Sequence, residues 1–318
     1  MTLIRTTRAF RPGQGRNNRS NGRGFIAKST PEATIRALVH CGGIGSVQEV
    51  KASQESPETP VAQGKTVKVG SVQFDPLTEQ EVVNRVLAEL SAGAGGQIIT
   101  PNVDILHRAM RDAEARRHIT SSTITVADGK PLIWASKIAG NPLPARVPGS
   151  DLIWSLSAAM AGAGRSVYLL GGEPGTAQQA EEVLRERHPD LKLAGHLSPP
   201  FGFDTRASEY DAVCDEVAGS DPDLVFVGFG FPKQERVIAR LRPRLPQTWF
   251  MGCGAAIGFV AGVHSRAPGW MQERGLEWLH RLALEPRRLM RRYLVDDAPF
   301  AMRLLAASAR QRLRGGAR

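Results

Sequence analysis

The chain has 318 residues, 42% of them hydrophobic, which is enough to bury a full-sized core and excludes a protein disordered throughout. Lys and Arg outnumber Asp and Glu by 41 to 31, a formal charge of +10 that points to an anionic partner without choosing among nucleic acid, phospholipid and a phosphorylated substrate. Three widely spaced cysteines, Cys41, Cys214 and Cys253, offer neither a disulfide framework nor a paired metal site, and no apolar run reaches the roughly eighteen residues that span a bilayer.

Residues 1–66 are dominated by Arg, Gly, Ser, Asn and Pro, as in Arg11-Pro12-Gly13-Gln14-Gly15-Arg16. Such a segment buries too little apolar surface to offset its ordering entropy, so it is expected to be mostly disordered, with one short helix near 31–40. It lacks the apolar centre and cleavage site of a secretory signal, and the cysteine usage fits a reducing compartment. A cytosolic location is expected.

From residue 67 to about 265, short apolar runs alternate with amphipathic segments of helical length, the signature of a βα-repeating chain. The pattern predicts strands near 67–74, 97–100, 123–127, 166–171, 192–196, 224–228 and 248–252. Helices are predicted near 79–90, 104–115, 131–138, 151–161, 176–187, 208–218 and 233–241, most of them opened by Ser, Thr, Asp, Gly or Pro. The fold class is therefore α/β, a Rossmann-like, mainly parallel sheet with helices on both faces. Residues 266–318 switch to a helix-only pattern and read as a basic appendage, in which Arg281, Glu285, Arg288 and Arg292 recur at intervals of four, three and four. On one helix these arginines share a stripe beside Trp278, Leu282 and Leu289, provided the helix tolerates Pro286; a solvated face on a packed helix explains the stripe equally well. The final run, 310–318, reads as a frayed basic tail.

Open α/β sheets bind ligands at the carboxyl ends of their strands, so the strand-to-helix junctions are where chemistry is sought. The central one is Thr125-Val126-Ala127-Asp128-Gly129-Lys130-Pro131. A β-branched run stops at a carboxylate, Gly129 permits a sharp turn and Pro131 opens a helix, which puts Asp128 at a strand's carboxyl end. On local grounds alone, an Asp before Gly is more often a cap or turn former than a catalyst. Thr100-Pro101-Asn102-Val103-Asp104 offers Thr and Asn side chains either to a ligand or as a cap to the next helix. Gly171-Gly172-Glu173-Pro174-Gly175-Thr176 is a glycine-rich turn at a helix start, suited to a phosphate or a nucleotide base, and Gly228-Phe229-Gly230-Phe231-Pro232-Lys233-Gln234-Glu235 is a second turn whose glycines keep the backbone bare before Pro232 opens a helix. Lys233 opposes the dipole of the helix it opens, which an anionic ligand explains more readily than local stability does. Gly252-Cys253-Gly254-Ala255-Ala256 reads as close helix–sheet packing.

Several classes are excluded. The seven histidines show no ligand spacing, no G-x-x-x-x-G-K-[ST] loop marks a P-loop NTPase, and no G-x-S-x-G elbow marks a hydrolase. Asp221-Pro222-Asp223 matches the Asp-x-Asp of metal-dependent sugar transferases as a string, but it precedes a strand and so lies at the wrong end of the sheet. It reads as a turn.

Taken together, Thr100-Pro101-Asn102, Ala127-Asp128-Gly129-Lys130-Pro131, Arg146-Val147-Pro148-Gly149-Ser150-Asp151, the turn from Gly228 to Glu235, and Arg266-Ala267-Pro268 with Gly275-Leu276-Glu277-Trp278 resemble the WecG/TagA/CpsF family of bacterial glycosyltransferases, in matching order over about 67–293. The resemblance implies an inverting, metal-independent enzyme without a cofactor. Such an enzyme moves a sugar, often of the N-acetylmannosamine type but open to another hexose, from a UDP donor to a polyprenyl-diphosphate-linked acceptor during cell-surface polysaccharide assembly. It also implies a Rossmann-like core whose appendage meets an anionic membrane surface, peripherally and from the cytoplasmic side. Carried over residue by residue, it makes Asp128 the catalytic base and gives Thr100 and Asn102 contact with the acceptor or sugar. Arg146 and Gln234 help to hold the donor, and Arg281, Arg288 and Arg291 reach the diphosphates; Lys233 is counted among the substrate-binding residues on its place at the helix start alone.

Chemistry supports those roles. Inversion needs one base to take the acceptor hydroxyl's proton, unlike the carboxylate pair of a glycosidase, and without a metal the departing UDP is met by arginines and backbone N–H groups. A nicotinamide or flavin oxidoreductase is the first rival, weakened because no G-x-G-x-x-G opens the unit at 67–90. A nucleic-acid-binding protein is the second; it lacks aromatic stacking positions near the basic runs, so nucleic acid is not expected as a partner. A small symmetric homo-oligomer is the default assembly.

Overall fold

A computed structural model describes residues 65–315, so the disorder and short helix expected before residue 65 lie outside the described residues. The chain enters through two short strands, β1 (Val67–Val69) and β2 (Val72–Phe74), paired antiparallel as a separate two-stranded ribbon. A single strand over 67–74 in the parallel sheet was expected; instead Gly70 takes φ 62° and reverses the chain. The reversal buries Val67, Val69, Val72 and Phe74 on one face, as the alternation of the sequence requires.

The βα units follow. Helix α1 (Glu79–Ser91) starts in a capping box, with Thr78 N–H donating to the Glu81 carboxylate at 2.7 Å. After β3 (Gly96–Ile99), the helix predicted over 104–115 is two helices, α2 (Val103–Arg111) and α3 (Ala113–Thr120). The break falls at Asp112, whose extended backbone lets its carboxylate accept from Glu114 N–H at 2.9 Å and cap α3. Strand β4 (Ile124–Thr125) is shorter than predicted, and α4 (Lys130–Ala139) and α5 (Gly149–Gly162) succeed it. Then come β5 (Ser166–Gly171), α6 (Thr176–Arg187), β6 (Lys192–Leu197), α7 (Ala207–Gly219), β7 (Leu224–Gly228), α8 (Lys233–Leu241), β8 (Trp249–Gly252) and α9 (Ala256–Val260).

Strands β3 to β8 form one parallel sheet in the order β4-β3-β8-β7-β5-β6. Its residues alternate between two cores. Leu224 and Phe226 join Ile153, Leu156 and Ala180 on one face, while Val225 and Val227 join Val217, Val237 and Ile238 on the other. The last strand, β8, slots between β3 and β7, and the chain leaves neighbouring β5 toward β6 on one side and β7 toward β8 on the other, which opens a crevice at the carboxyl ends of these strands.

The C-terminal region is helical, as expected, but segmented: α10 (Gly269–Arg274), α11 (Glu277–Leu284), α12 (Pro286–Met290), a π-helical stretch Arg291–Asp297, and α13 (Ala298–Gly315). Pro286 is not accommodated within a helix. Glu285 leaves helical geometry at φ −129°, ψ 59°, and Pro286 sits in the first turn of α12, where its missing N–H costs nothing. Residues 310–315, expected to fray, continue α13, whose Phe300 and Leu304 are buried with Phe74, Leu106 and Leu132. Among the described residues, no helix is long and apolar enough to cross a membrane.

Candidate active site

A cleft of about 540 Å³ lies at the carboxyl ends of β3, β7 and β8, roofed by side chains from α11, α12 and the π-helical stretch. Thr100, Asn102, Asp128, Gln234, Arg281 and Arg288 line it, which brings together six of the nine residues singled out in the sequence. Arg146, Lys233 and Arg291 are not on its wall.

Asp128 is fixed by backbone bonds on both sides. Its N–H donates to Pro101 O at 3.0 Å, and the loop after α4 returns to bond Val147 N–H to Ala127 O at 2.9 Å. The carboxylate itself receives no hydrogen bond from the described residues; its closest ion-pair contact is with Arg146, 3.7 Å from Nη1 to Oδ1, and the side chain keeps 29% of its surface open. Desolvation pushes its pKa up to about 6, against the pull of Arg146 and Arg281, while Glu277 and Asp151 push it further upward. A carboxyl group poised there can hold or release a proton near neutrality. Asp104 and Glu173, the other carboxylates on the wall, differ from it: Asp104 is engaged by Arg108 at 3.2 Å and Arg292 at 2.8 Å, and Glu173 is on the exposed rim.

Arg146 stands behind Asp128 and donates to Glu277 Oε2 at 2.6 Å. Glu277 Oε1 accepts from Arg266 Nε at 3.3 Å, and Arg266 pairs with Asp151 in the first turn of α5. Burial works against the Glu277 charge, but the bond from Arg146 and the two guanidiniums hold its carboxyl below the ordinary value. This chain of charges joins the core to α11. The sequence showed Glu277 only as part of a motif, because its partner Arg146 is 131 residues away.

The expected ligand contacts divide. Asn102 is both cap and wall: its Oδ1 accepts from Ile105 N–H at 3.0 Å, and the residue still faces the cleft. The buried Thr100 hydroxyl makes no hydrogen bond with the described residues. Gln234 points inward, where Oε1 accepts from Gly230 N–H at 3.1 Å and Gly254 N–H at 3.0 Å, tying two glycine turns together. Lys233 finds its anion within the protein, at Asp204 Oδ1 2.7 Å away, and lies over the Phe203 ring at 4.4 Å. Arg292, not Arg291, continues the wall that carries Arg288 and Leu289. Arg108 of α2, unremarked in the sequence, joins them there.

Glycines let backbone form the rest of the wall. A Cβ at Gly171 would lie 2.7 Å from Gly228 O, and one at Gly252 would collide with the Gln234 amide. The stretch 252–256, read as close packing, packs closely and also lines the cleft. Helices α5, α6 and α8 all begin at this wall without a capping side chain on the residue before them, but only α5 leaves its first two N–H groups, Gly149 and Ser150, unbonded among the described residues and available to an anion. In α6, Thr176 N–H donates to Glu173 O at 2.9 Å and Ala177 N–H to Ser198 Oγ at 3.2 Å, and in α8 Gln234 N–H donates to Gly230 O at 3.0 Å. The Asp221-Pro222-Asp223 string is at the opposite edge, where Asp223 accepts from Ser166 N–H at 2.7 Å and Arg165 Nη1 at 2.9 Å. Among the described residues, no group of three His, Cys, Asp or Glu side chains is arranged to hold a metal ion.

A Rossmann-like sheet with a desolvated, unbonded carboxylate, an open helix start and arginines around its carboxyl-end crevice has the make-up of a group-transfer enzyme. Residues 67–314 match the glycosyl transferase WecG/TagA/CpsF family, and the chain belongs to that family. It is a glycosyltransferase. It is similar to the N-acetylglucosaminyldiphosphoundecaprenol N-acetyl-beta-D-mannosaminyltransferase of Bacillus subtilis (strain 168), 28% identical over 197 residues that cover 62% of this chain and 75% of the relative. The protein of the same name from Bacillus spizizenii (strain ATCC 23059 / NRRL B-14472 / W23) is 30% identical over 202 residues, 64% of this chain and 76% of the relative. That from Staphylococcus aureus (strain NCTC 8325 / PS 47) is 27% identical over 247 residues, 77% of this chain and 94% of the relative.

Proposed function

We propose that the protein transfers an N-acetylmannosamine-type sugar, with inversion and without a metal, from a UDP-sugar to a polyprenyl-diphosphate-linked acceptor in cell-surface polysaccharide biosynthesis. The relatives' names supply the acceptor class, an N-acetylglucosaminyl diphosphoundecaprenol. The observation that carries the mechanism is Asp128, a carboxylate on the cleft wall with no hydrogen-bond donor and a pKa raised to about 6.

In this reading, Asp128 takes the proton of the acceptor hydroxyl as that oxygen attacks the anomeric carbon and the bond to UDP breaks. One base suffices for a single inverting displacement. Charge developing on the leaving diphosphate is met by the open start of α5 and by Arg281 and Arg288. Thr100 and Asn102 orient the acceptor or sugar, and Gln234 acts by holding the glycine turns that form the donor wall. The core, 67–265, then binds the nucleotide sugar, and the appendage, 266–318, meets the cytoplasmic leaflet.

The appendage surface supports that last assignment. Trp270, Trp278, Leu284, Leu294 and Val295 are exposed, 43–63% each, among Arg274, Arg287, Arg288 and Arg291. Apolar side chains interleaved with cations suit an anionic interface, and the same segments carry the cleft arginines. The test is to supply purified protein with a panel of UDP-sugars and a short-chain polyprenyl-diphosphate N-acetylglucosamine, with and without EDTA. Product mass and anomeric configuration should show one added sugar, inverted, in both conditions. Retention of configuration, or loss of product with EDTA, would overturn the mechanism, and absence of any transfer would overturn the substrate class.

A further inference from the structure

The Arg146 guanidinium lies between two carboxylates. Its Nη1 is 2.6 Å from Glu277 Oε2 and 3.7 Å from Asp128 Oδ1, so it donates to the first and only faces the second. We infer that Glu277 is a positioning residue for the transfer: by holding Arg146, it leaves the Asp128 oxygens free to take the acceptor hydroxyl's proton. The inference rests on the reading of Asp128 as the base and adds a residue of α11 to its control.

The hold on Arg146 is built from several elements. Glu277 is the first residue of α11, where the helix dipole favours a carboxylate. Its second oxygen is engaged by Arg266, which is itself anchored on Asp151 of α5. The turn before it is pinned at Gly275, which has φ 73° and lies so close to Lys130 that a Cβ would overlap that side chain. Lys130 begins α4 and is two residues beyond Asp128. Glu277 is thereby located relative to the base from two directions.

Removing the Glu277 charge changes the balance at Asp128 in a defined sense. The charged groups that act on Asp128 are Arg146 from the loop before α5, Glu277 and Arg281 from α11, and Asp151 from α5. With Glu277 neutral, two cations face Asp128 against one remaining anion, and Arg146 is released to hydrogen-bond it. Both effects favour the ionised carboxylate and make it a weaker base.

Glu277→Gln tests this through the ¹³C carboxyl NMR titration of Asp128, its signal assigned with Asp128→Asn. The Asp128 midpoint should fall below its position near 6, kcat should drop about tenfold with its acid limb displaced to lower pH, and the donor KM should stay within about twofold. Adding Arg146→Gln to Glu277→Gln should return the midpoint to the wild-type position or above it, because the competing cation is gone. An unmoved midpoint in Glu277→Gln, or a fall that persists without Arg146, overturns the inference. Should the glutamine variant fail to fold, Glu277→Ser with circular dichroism as the folding check takes its place under the same criteria. The titration needs no turnover, so an enzyme inactive on the proposed substrates would refute that function while Glu277 is still tested.

Discussion

The two edges of the parallel sheet treat the same residue type in opposite ways. At the amino edge, Asp223 accepts from Ser166 N–H, the Ser166 hydroxyl and Arg165; burial opposes its charge, but these bonds hold its carboxyl below the ordinary value. At the carboxyl edge, Asp128 has no donor within hydrogen-bond reach, and desolvation raises it to about 6. A bonded carboxylate stabilises the fold and is chemically inert; an unbonded one costs stability and remains able to take a proton. The Asp-x-Asp string and the lone Asp are thus separated by their solvation.

The largest expected effect sharpens this contrast. Asp128→Asn should lower kcat by about 10³-fold or more while leaving the fold and UDP binding intact, measured by single-turnover transfer and calorimetric titration. Its melting temperature at pH 7 should not fall: a folded pKa above the unfolded value means that the ionised native carboxylate lowers stability above about pH 6, and the amide removes that penalty.

Next in size is the arginine wall. Arg281→Ala and Arg288→Ala should each reduce kcat/KM about 10²-fold, with the loss largest at low salt. Equal activity without either side chain would show that the wall only keeps the roof soluble. At the amino edge, Asp223→Asn should cost roughly 2–3 kcal/mol, a fall of some 5–10 °C in thermal unfolding, with transfer per folded molecule unchanged. The wild-type contribution of Asp223 is present above the unfolded pKa and disappears as pH falls through its lowered native value, so the two proteins should converge in stability in strong acid. The smallest effect is expected at Lys233. Because its charge is met by Asp204, Lys233→Met should change kcat/KM by less than about threefold; a large rise in donor KM would restore a direct ligand contact.

Most of the fold was legible because local signals agreed with the tertiary arrangement. Strands β5 and β7 have the predicted limits, since each is an apolar run closed by a glycine where neighbours leave no room for a Cβ: Gly171 against the Gly228 backbone, and Gly228 against Ile257 and Gly254 O. Failures occurred where one residue changed the local geometry: Gly70 turned an alternating strand into a hairpin, and Asp112 divided a continuous helical pattern. At the site, Asp128, Thr100 and Asn102 were legible from their place at strand ends. For Lys233 the sequence could not show Asp204, 29 residues upstream, which supplies an anion at the helix start from within the protein. The Glu277–Arg146 bond was hidden for the same reason, and Arg292 rather than Arg291 lines the cleft because the face that meets it is set by how α12 and the π-helical stretch pack.

The central claim is that an unbonded, desolvated Asp128 is the base, and the pH dependence of single-turnover transfer tests it most directly. The base acts only when ionised, so the rate should climb about tenfold per unit below pH 6, bend near 6 and level off above it. A rate that stays flat from pH 5 to 8 under chemistry-limited conditions would contradict the assignment.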